Sequence, residues 1–98
     1  MNSFMVDINL PEDMDMGFWE QIPSQRITVN KMMKKGIISD YSLSMDRQKL
    51  WVIINGESRK EIHRIVNSFP IRKYITYSVH SLLFHERNNI SVPQFWLN

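Results

Sequence analysis

The chain has 98 residues, of which 43% are hydrophobic, 11% aromatic and 22% charged, and its formal net charge is +2. This composition is typical of a single globular domain spanning residues 1–98 and excludes a disordered chain. The absence of cysteine excludes a disulfide framework and a thiolate metal site. The positive charge is weak and scattered, and no apolar run has the length of a membrane span. Neither a nucleic acid nor a membrane is therefore expected as a partner.

The first segment, FMVDINL, alternates four apolar residues with Met5, Asp7 and Asn9. A period of two residues predicts a strand, which Pro11 ends. The N-terminal sequence MNSFMVDINLPEDMD has acids where a signal peptide has a basic start and a long apolar run. A cytoplasmic location is therefore expected.

A helix is predicted in the next segment, PEDMDMGFWEQIPSQRITVNKMMKKG, which carries acids early and lysines late. Phe18, Ile22, Val29 and Met33 fall near one helical face, and Gly36 is a natural C-terminal stop. Proline inside a helix removes a hydrogen bond. Pro23 therefore predicts a kink or two helical pieces.

The remaining elements are a hairpin, a helix and a last strand. GIISDYSLSMDRQKLWVIINGES predicts strand, turn and strand, with SMDRQ as the turn. Ser58 and Glu61 form a capping box before an apolar stripe that ends at Pro70. The segment KYITYSVHSLLFH, residues 73–85, is rich in β-branched and aromatic residues and predicts the last strand.

The predicted order is β-α-β-β-α-β, the ferredoxin-like arrangement of the α+β class, with an antiparallel four-stranded sheet in the order 4-1-3-2. Both helices would cover one face of this sheet. The predicted helix-facing residues are Phe4, Val6, Ile8, Ile37, Tyr41, Leu43, Leu50, Val52, Ile54, Ile75, Tyr77 and Val79. The opposite, mixed face would carry Met5, Asp7, Asn9, Ile38, Asp40, Ser42, Trp51, Ile53, Thr76, Ser78, His80 and Leu82. A second copy across that face would enclose a cleft, as in dimeric α+β barrels, so a homodimer or a larger homo-oligomer is expected.

Asp7 and His80 form the candidate catalytic pair of the mixed face. They would lie on adjacent strands, where a carboxylate can fix the tautomer of an imidazole and prepare it as a general base. The alternative is that His80 hydrogen-bonds locally and Asp7 is solvated at a sheet edge or a dimer seam. The other residues expected to line a small-molecule cleft are Asp40, Ser42, Trp51 and Ser78.

Trp51 and two cationic residues of the hairpin have two interpretations each. Trp51 is either a ligand platform or part of a barrel core. Arg47 and Lys49 either approach an acidic group of a ligand from the hairpin or belong to a solvated turn. No HxH or HxxxH pair occurs, so no metal is expected.

Four segments resemble the muconolactone isomerase family: LPEDMD, MKKGIISDYSLS, DRQKLW and SFPIRKYITYSVHSLLFH. The resemblance covers nearly the whole chain, and LP-x-DMD after the first strand is its most specific part. His63, Phe69-Pro70, Tyr74 and the strand ending at residues 82–85 also fit the family's layout.

The resemblance implies a ferredoxin-like subunit in a homodimeric barrel. It also implies that the C-terminal tail, residues 86–98, packs on a partner subunit. Independently, Phe95, Trp96 and Leu97 make this tail too apolar for a free end; packing on its own domain is the alternative. The chemistry implied is a double-bond shift, without a cofactor, in an unsaturated lactone of aromatic breakdown. That reaction needs a base, an enolate stabiliser and a cation for the substrate carboxylate.

The second strand departs from the family, because Asp40 and Ser42 stand where that isomerase carries basic and aromatic residues. An acid there would repel a carboxylate substrate, which indicates a divergent branch. Two functions are therefore expected. The first is isomerase-like proton transfer on a small unsaturated lactone or related catabolic intermediate, with His80 as base and Asp7 as its orienting partner. The alternative is a dimeric α+β barrel that binds a small organic molecule without turnover, or that has a structural role.

Overall fold

The computed structural model describes residues 2–86. Its elements in chain order are β1 (Asn2–Asn9), α1 (Met16–Lys34), β2 (Ile38–Leu43), β3 (Lys49–Gly56), α2 (Arg59–Asn67) and β4 (Thr76–Ser81). A short 3₁₀ helix, Arg72–Tyr74, precedes β4. The predicted β-α-β-β-α-β order and the α+β class are therefore confirmed. Neither helix within these residues is long and apolar enough to cross a bilayer.

The four strands form one antiparallel sheet in the order β2-β3-β1-β4, which is the predicted 4-1-3-2 order counted from the other edge. On the two central strands, Val6 lies opposite Val52 and Ile8 opposite Leu50. These side chains are buried together with residues of α1, α2 and the segment after α2. The core therefore lies between the sheet and the two helices, as the apolar periodicities predict.

Capping groups decide where the two helices begin. The Asp15 carboxylate accepts a hydrogen bond from the backbone N–H of Phe18 at 2.9 Å, at the start of α1. The Ser58 hydroxyl accepts one from the backbone N–H of Glu61 at 3.3 Å, at the start of α2. Each cap satisfies a backbone donor that has no partner within its own helix.

The C-terminal end of α1 also follows its predicted stop. Gly36 has a φ of 76°, and the N–H of Ile37 donates to the carbonyl of Met32 at 2.9 Å. This is a Schellman motif, which favours glycine because of the left-handed backbone. The helix runs through Pro23 as a single element, so the alternative of two helical pieces is wrong. Pro23 is exposed, and its missing N–H leaves the carbonyl of Trp19, four residues earlier, without its helical partner.

A bulge in β2 changes the predicted facing of its first residue. Ile38 lies opposite Ile54 and Asp40 lies opposite Ile53, so Ser39 is an extra residue between two pairs. The extra residue shifts the side-chain alternation by one position. Ile38 therefore belongs to the helix-covered core, where it is 2% exposed, and its predicted place on the opposite face is wrong.

The last strand is shorter than predicted. The N–H of Tyr74 donates to the carbonyl of Ile71 at 2.9 Å and closes the 3₁₀ helix, so β4 begins at Thr76. The strand ends at Ser81, although the N–H of Leu82 still bonds to β1. Residues 87–98 lie outside the described residues, and the docking of the tail on a partner stays a prediction.

Candidate functional site

All six residues predicted for the site lie on the sheet face opposite the helices, which we call the open face. The strand registers arrange them in two neighbouring rows. The first row is Ser78, Asp7, Trp51 and Ser42, and the second is His80, Met5, Ile53 and Asp40. Within residues 2–86 no group of three or more metal-ligating side chains comes together.

Asp7 and His80 share the open face but have different partners. The carboxylate of Asp7 accepts a hydrogen bond from Lys49 Nζ at 3.1 Å. The Nε2 atom of His80 lies 3.1 Å from the hydroxyl of Ser78, two residues earlier on the same strand, and the His80 side chain is exposed. In this subunit His80 therefore hydrogen-bonds locally. A role for the two residues as base and orienting partner stays a prediction.

Asp40 is engaged by the chain that follows β4. His85 Nε2 lies 2.9 Å from Asp40 Oδ2, although β4 and β2 are opposite edges of the sheet. Met5 and Ile53 lie between these edges in the same row, and Ile53 is only 5% exposed although it lies outside the helix-covered core. We infer that residues 82–85, which we call the strap, pass over this row and cover part of the open face.

A cavity of about 430 Å³ lies on the other side of the sheet, beneath α1. Its walls come from α1 and the segment before it, from β2 and β3, from the turn between these strands and from the segment after α2. The apolar part of the lining includes Leu10, Met14, Phe18, Ile22, Leu50 and Ile71. The polar part is Gln25, Arg26, Tyr41 and Arg47. No carboxylate or imidazole lines this cavity within residues 2–86.

Gln25 and Tyr41 form the polar pair of the cavity. Gln25 is only 2% exposed, and a buried glutamine normally has hydrogen-bond partners. The N–H of Ile71 donates to Gln25 Oε1 at 3.4 Å, and Gln25 Nε2 donates to the Tyr41 hydroxyl at 3.4 Å. The pair therefore joins α1, β2 and the segment after α2 at the cavity wall.

The pKa of Tyr41 lies above its ordinary value. Burial is the larger cause and raises it, while the hydrogen bond from Gln25 lowers it in part. A phenol with a raised pKa stays neutral at physiological pH. Tyr41 can therefore donate a hydrogen bond to a molecule in the cavity.

Two arginines contribute positive charge to the cavity lining. Arg26 lies on α1 and Arg47 in the turn between β2 and β3, and both side chains are exposed. Within residues 2–86 neither guanidinium pairs with a carboxylate. Arg47 has a left-handed φ of 63°, in a turn where the Asp46 carboxylate accepts bonds from Ser44 and Gln48.

The sequence patterns did not predict this cavity. Gln25 lies seven residues after Phe18 and four before Val29, which is a core position of the apolar stripe on α1. A polar residue at such an apolar position is the sequence signal from which a buried polar group could have been predicted. Of the two hairpin cations considered as ligand contacts, Arg47 lines the cavity and Lys49 pairs with Asp7 on the open face.

Comparisons with known proteins agree with this fold. A crystal structure of muconolactone isomerase matches with a TM-score of 0.71 at 17% sequence identity, covering 94% of this chain and 99% of that chain. At this identity the match shows the fold alone. A comparison with curated protein sequences gives no significant match. The family model for muconolactone delta-isomerase matches residues 3–88. The chain therefore belongs to the muconolactone delta-isomerase family.

Proposed function

We propose that this chain is a cofactor-independent, muconolactone isomerase-like protein that transfers a proton within a small unsaturated lactone or a related catabolic intermediate. Membership of the family supports the reaction class. The observation that carries the proposal is the cavity beneath α1, because its volume of about 430 Å³ lies in the range of small-molecule sites and its walls are mostly apolar. The cavity is the proposed substrate site.

The polar groups of the cavity suit a molecule with one acidic end. Arg26 and Arg47 lack carboxylate partners within residues 2–86, so they are available to a carboxylate of a ligand. The apolar walls would hold an unsaturated ring, and removing its surface from water would favour binding. This arrangement answers the objection raised by Asp40, because Asp40 lies on the open face and not in the cavity.

The pair predicted on the open face remains a separate proposal. His80 and Asp7 lie on the far side of the sheet from the cavity, so they cannot act on a molecule held beneath α1 of the same subunit. A cleft over them would need a second copy of the chain. Self-association, a cytoplasmic location and a place in aromatic catabolism stay predictions.

One observation favours a second function, which is binding without turnover. Proton transfer needs a group that accepts the proton. Within residues 2–86 the cavity lining offers a neutral phenol and two guanidinium groups but no carboxylate or imidazole. A protein that only binds the lactone would need no such acceptor.

The decisive experiment is binding and turnover of muconolactone by wild-type protein and by a matched pair of variants. Ile22 lines the cavity, whereas Ile27 lies on the same helix outside the lining and is 57% exposed. We expect Ile22→Trp to abolish binding, measured by calorimetry, because the larger side chain occupies the cavity. Ile27→Trp should bind as the wild type does, and circular dichroism checks that both variants are folded.

The outcomes separate the two functions. Binding together with a shift of the double bond, which proton NMR detects, supports the isomerase. Binding without that shift supports the second function. If Ile22→Trp and Met14→Trp, a second cavity-filling variant, both stay folded and bind muconolactone like the wild type, the cavity is not the site.

A further inference from the structure

The orientation of the Gln25 side chain is fixed by a group that can only donate. The backbone N–H of Ile71 points to the Gln25 amide at 3.4 Å, so the amide oxygen must face it. The amide nitrogen therefore faces Tyr41, at 3.4 Å from the hydroxyl oxygen. Because the amide nitrogen is a donor, Tyr41 must act as the acceptor in this pair.

The Tyr41 hydroxyl consequently keeps its own proton for another partner. Within residues 2–86 the hydroxyl donates to no protein acceptor. Both bonds of Gln25 are at the long end of the hydrogen-bond range, so they orient the phenol and leave it able to make a stronger bond. Tyr41 lines the cavity, and an acceptor placed there by a ligand would meet this proton.

The chemistry of the acceptor follows from the position of Tyr41 among apolar walls. Burying a carboxylate beside a neutral phenol would cost more than it gains, because a charge loses its hydration there. A neutral carbonyl oxygen loses less hydration and gains a hydrogen bond. The exposed arginines suit the charged end of the same molecule, which fixes the direction in which the molecule enters.

We propose that the Tyr41 hydroxyl donates a hydrogen bond to the ring carbonyl oxygen of the bound lactone, and that Gln25 is the residue that positions it. The ring then points inward to Tyr41 and the carboxylate lies outward beside Arg26 and Arg47. This inference rests on the proposed function, because it requires the cavity to be the site.

The test measures the binding of two ligands to the wild-type protein and to one near-isosteric variant, Tyr41→Phe. The ligands are muconolactone and the neutral unsaturated five-membered lactone without the acidic side chain. We expect Tyr41→Phe to weaken the binding of both ligands by a similar factor of about 3 to 10, which is the range for one neutral hydrogen bond. Ile27→Trp serves as the control variant, because its side chain lies outside the cavity lining.

A spectroscopic measurement gives an independent readout of the same bond. The infrared stretching frequency of a ¹³C-labelled ring carbonyl should be lower in the wild-type complex than in the Tyr41→Phe complex. Gln25→Met should give an intermediate, broader band, because the phenol is present but no longer oriented. A merely structural role for Gln25 would alter stability without moving this band.

The outcomes distinguish this inference from the proposed function. If muconolactone binding is lost in Ile22→Trp but Tyr41→Phe changes neither affinity nor carbonyl frequency, only the role of Tyr41 is overturned. If muconolactone binding is insensitive to both Ile22→Trp and Met14→Trp in folded proteins, the proposed site itself is overturned. If Tyr41→Phe does not fold, a carbonyl frequency in the wild-type complex equal to that in an apolar solvent overturns the hydrogen bond directly.

Discussion

Asp7 is bonded to Lys49 on the neighbouring strand, with 3.1 Å between Oδ1 and Nζ, and forms no hydrogen bond or ion pair with His80, its diagonal neighbour on the other adjacent strand. The two side chains of this ion pair are 32% and 39% exposed, so solvent screens their attraction. The pair nevertheless uses one oxygen, Oδ1, of the carboxylate that a catalytic His–Asp pair would need.

The first prediction concerns the energetic coupling of these residues. In a double-mutant cycle, Asp7→Asn and Lys49→Met should show a coupling of about 0.2–1 kcal/mol in the free energy of unfolding. Asp7→Asn and His80→Ala should show a coupling near zero, because no hydrogen bond or ion pair joins the two side chains. Urea unfolding of the four proteins in each cycle measures both values. A larger coupling with His80 than with Lys49 would contradict the geometry.

The second prediction concerns the contact between Gly17 and Tyr74. A Cβ atom at Gly17 would lie 2.6 Å from the Tyr74 hydroxyl oxygen, and Tyr74 packs edge-on against Phe18. We expect Gly17→Ala to lower the free energy of unfolding by about 1–2 kcal/mol, although alanine favours helix more than glycine does. In a Tyr74→Phe background the same substitution should cost much less. Equal costs in both backgrounds, measured by urea unfolding, would show that the hydroxyl is not the obstacle.

The third prediction concerns the cap of α2. Ser58→Ala removes the acceptor for the backbone N–H of Glu61 and should cost about 1 kcal/mol of stability. Ser24→Ala, at an exposed position of α1, is the control and should change stability by less than about 0.5 kcal/mol. Thermal unfolding of both variants gives the comparison. A loss in Ser58→Ala no larger than in the control would mean that water replaces the cap.

The fourth prediction concerns alkaline pH. Because burial raises the pKa of Tyr41 above 10.0, the unfolded chain loses this proton at a lower pH than the folded chain does. Tyr41 therefore has no effect on the pH dependence below its ordinary pKa. As pH rises from there through the raised folded pKa, its contribution to stability is lost, with a slope of at most about 1.4 kcal/mol per pH unit. Denaturant unfolding between neutral pH and pH values above the ordinary pKa measures this slope, and Tyr41→Phe should remove that part of it. The same slope in both proteins would contradict the assignment.

The fifth prediction concerns the two arginines of the cavity lining. Arg26→Gln and Arg47→Asn should each weaken muconolactone binding about 2- to 5-fold at low salt, in line with exposed charge pairs. The effect should shrink as ionic strength rises. Asparagine is the better replacement for Arg47, because it tolerates the left-handed backbone of that turn. Binding of the neutral lactone, measured by calorimetry, should not change, and an equal loss for both ligands would indicate a structural effect.

The order of elements was predictable because local patterns carry it, and the strand order followed from the usual order of the ferredoxin-like arrangement. The alternation in β1 and β3 and the stripe on α2 appear as buried faces in the structure. The caps at Ser58 and Gly36 lie where the sequence places them. The prediction for Ile38 failed because one extra residue, Ser39, shifts the alternation of β2, and the letters of the sequence do not mark a bulge.

Apart from Ile38, the sequence by itself determined which residues share a face of the sheet, since a strand repeats every two residues and a helix every 3.6. Only the tertiary structure decided which residues those side chains contact. Asp7 contacts Lys49, Asp40 contacts His85, and Gln25 contacts Tyr41, at sequence separations of 16 to 45 residues. The cavity beneath α1 likewise depends on how several elements pack together. Such contacts depend on the register and packing of distant elements, which no local repeat specifies.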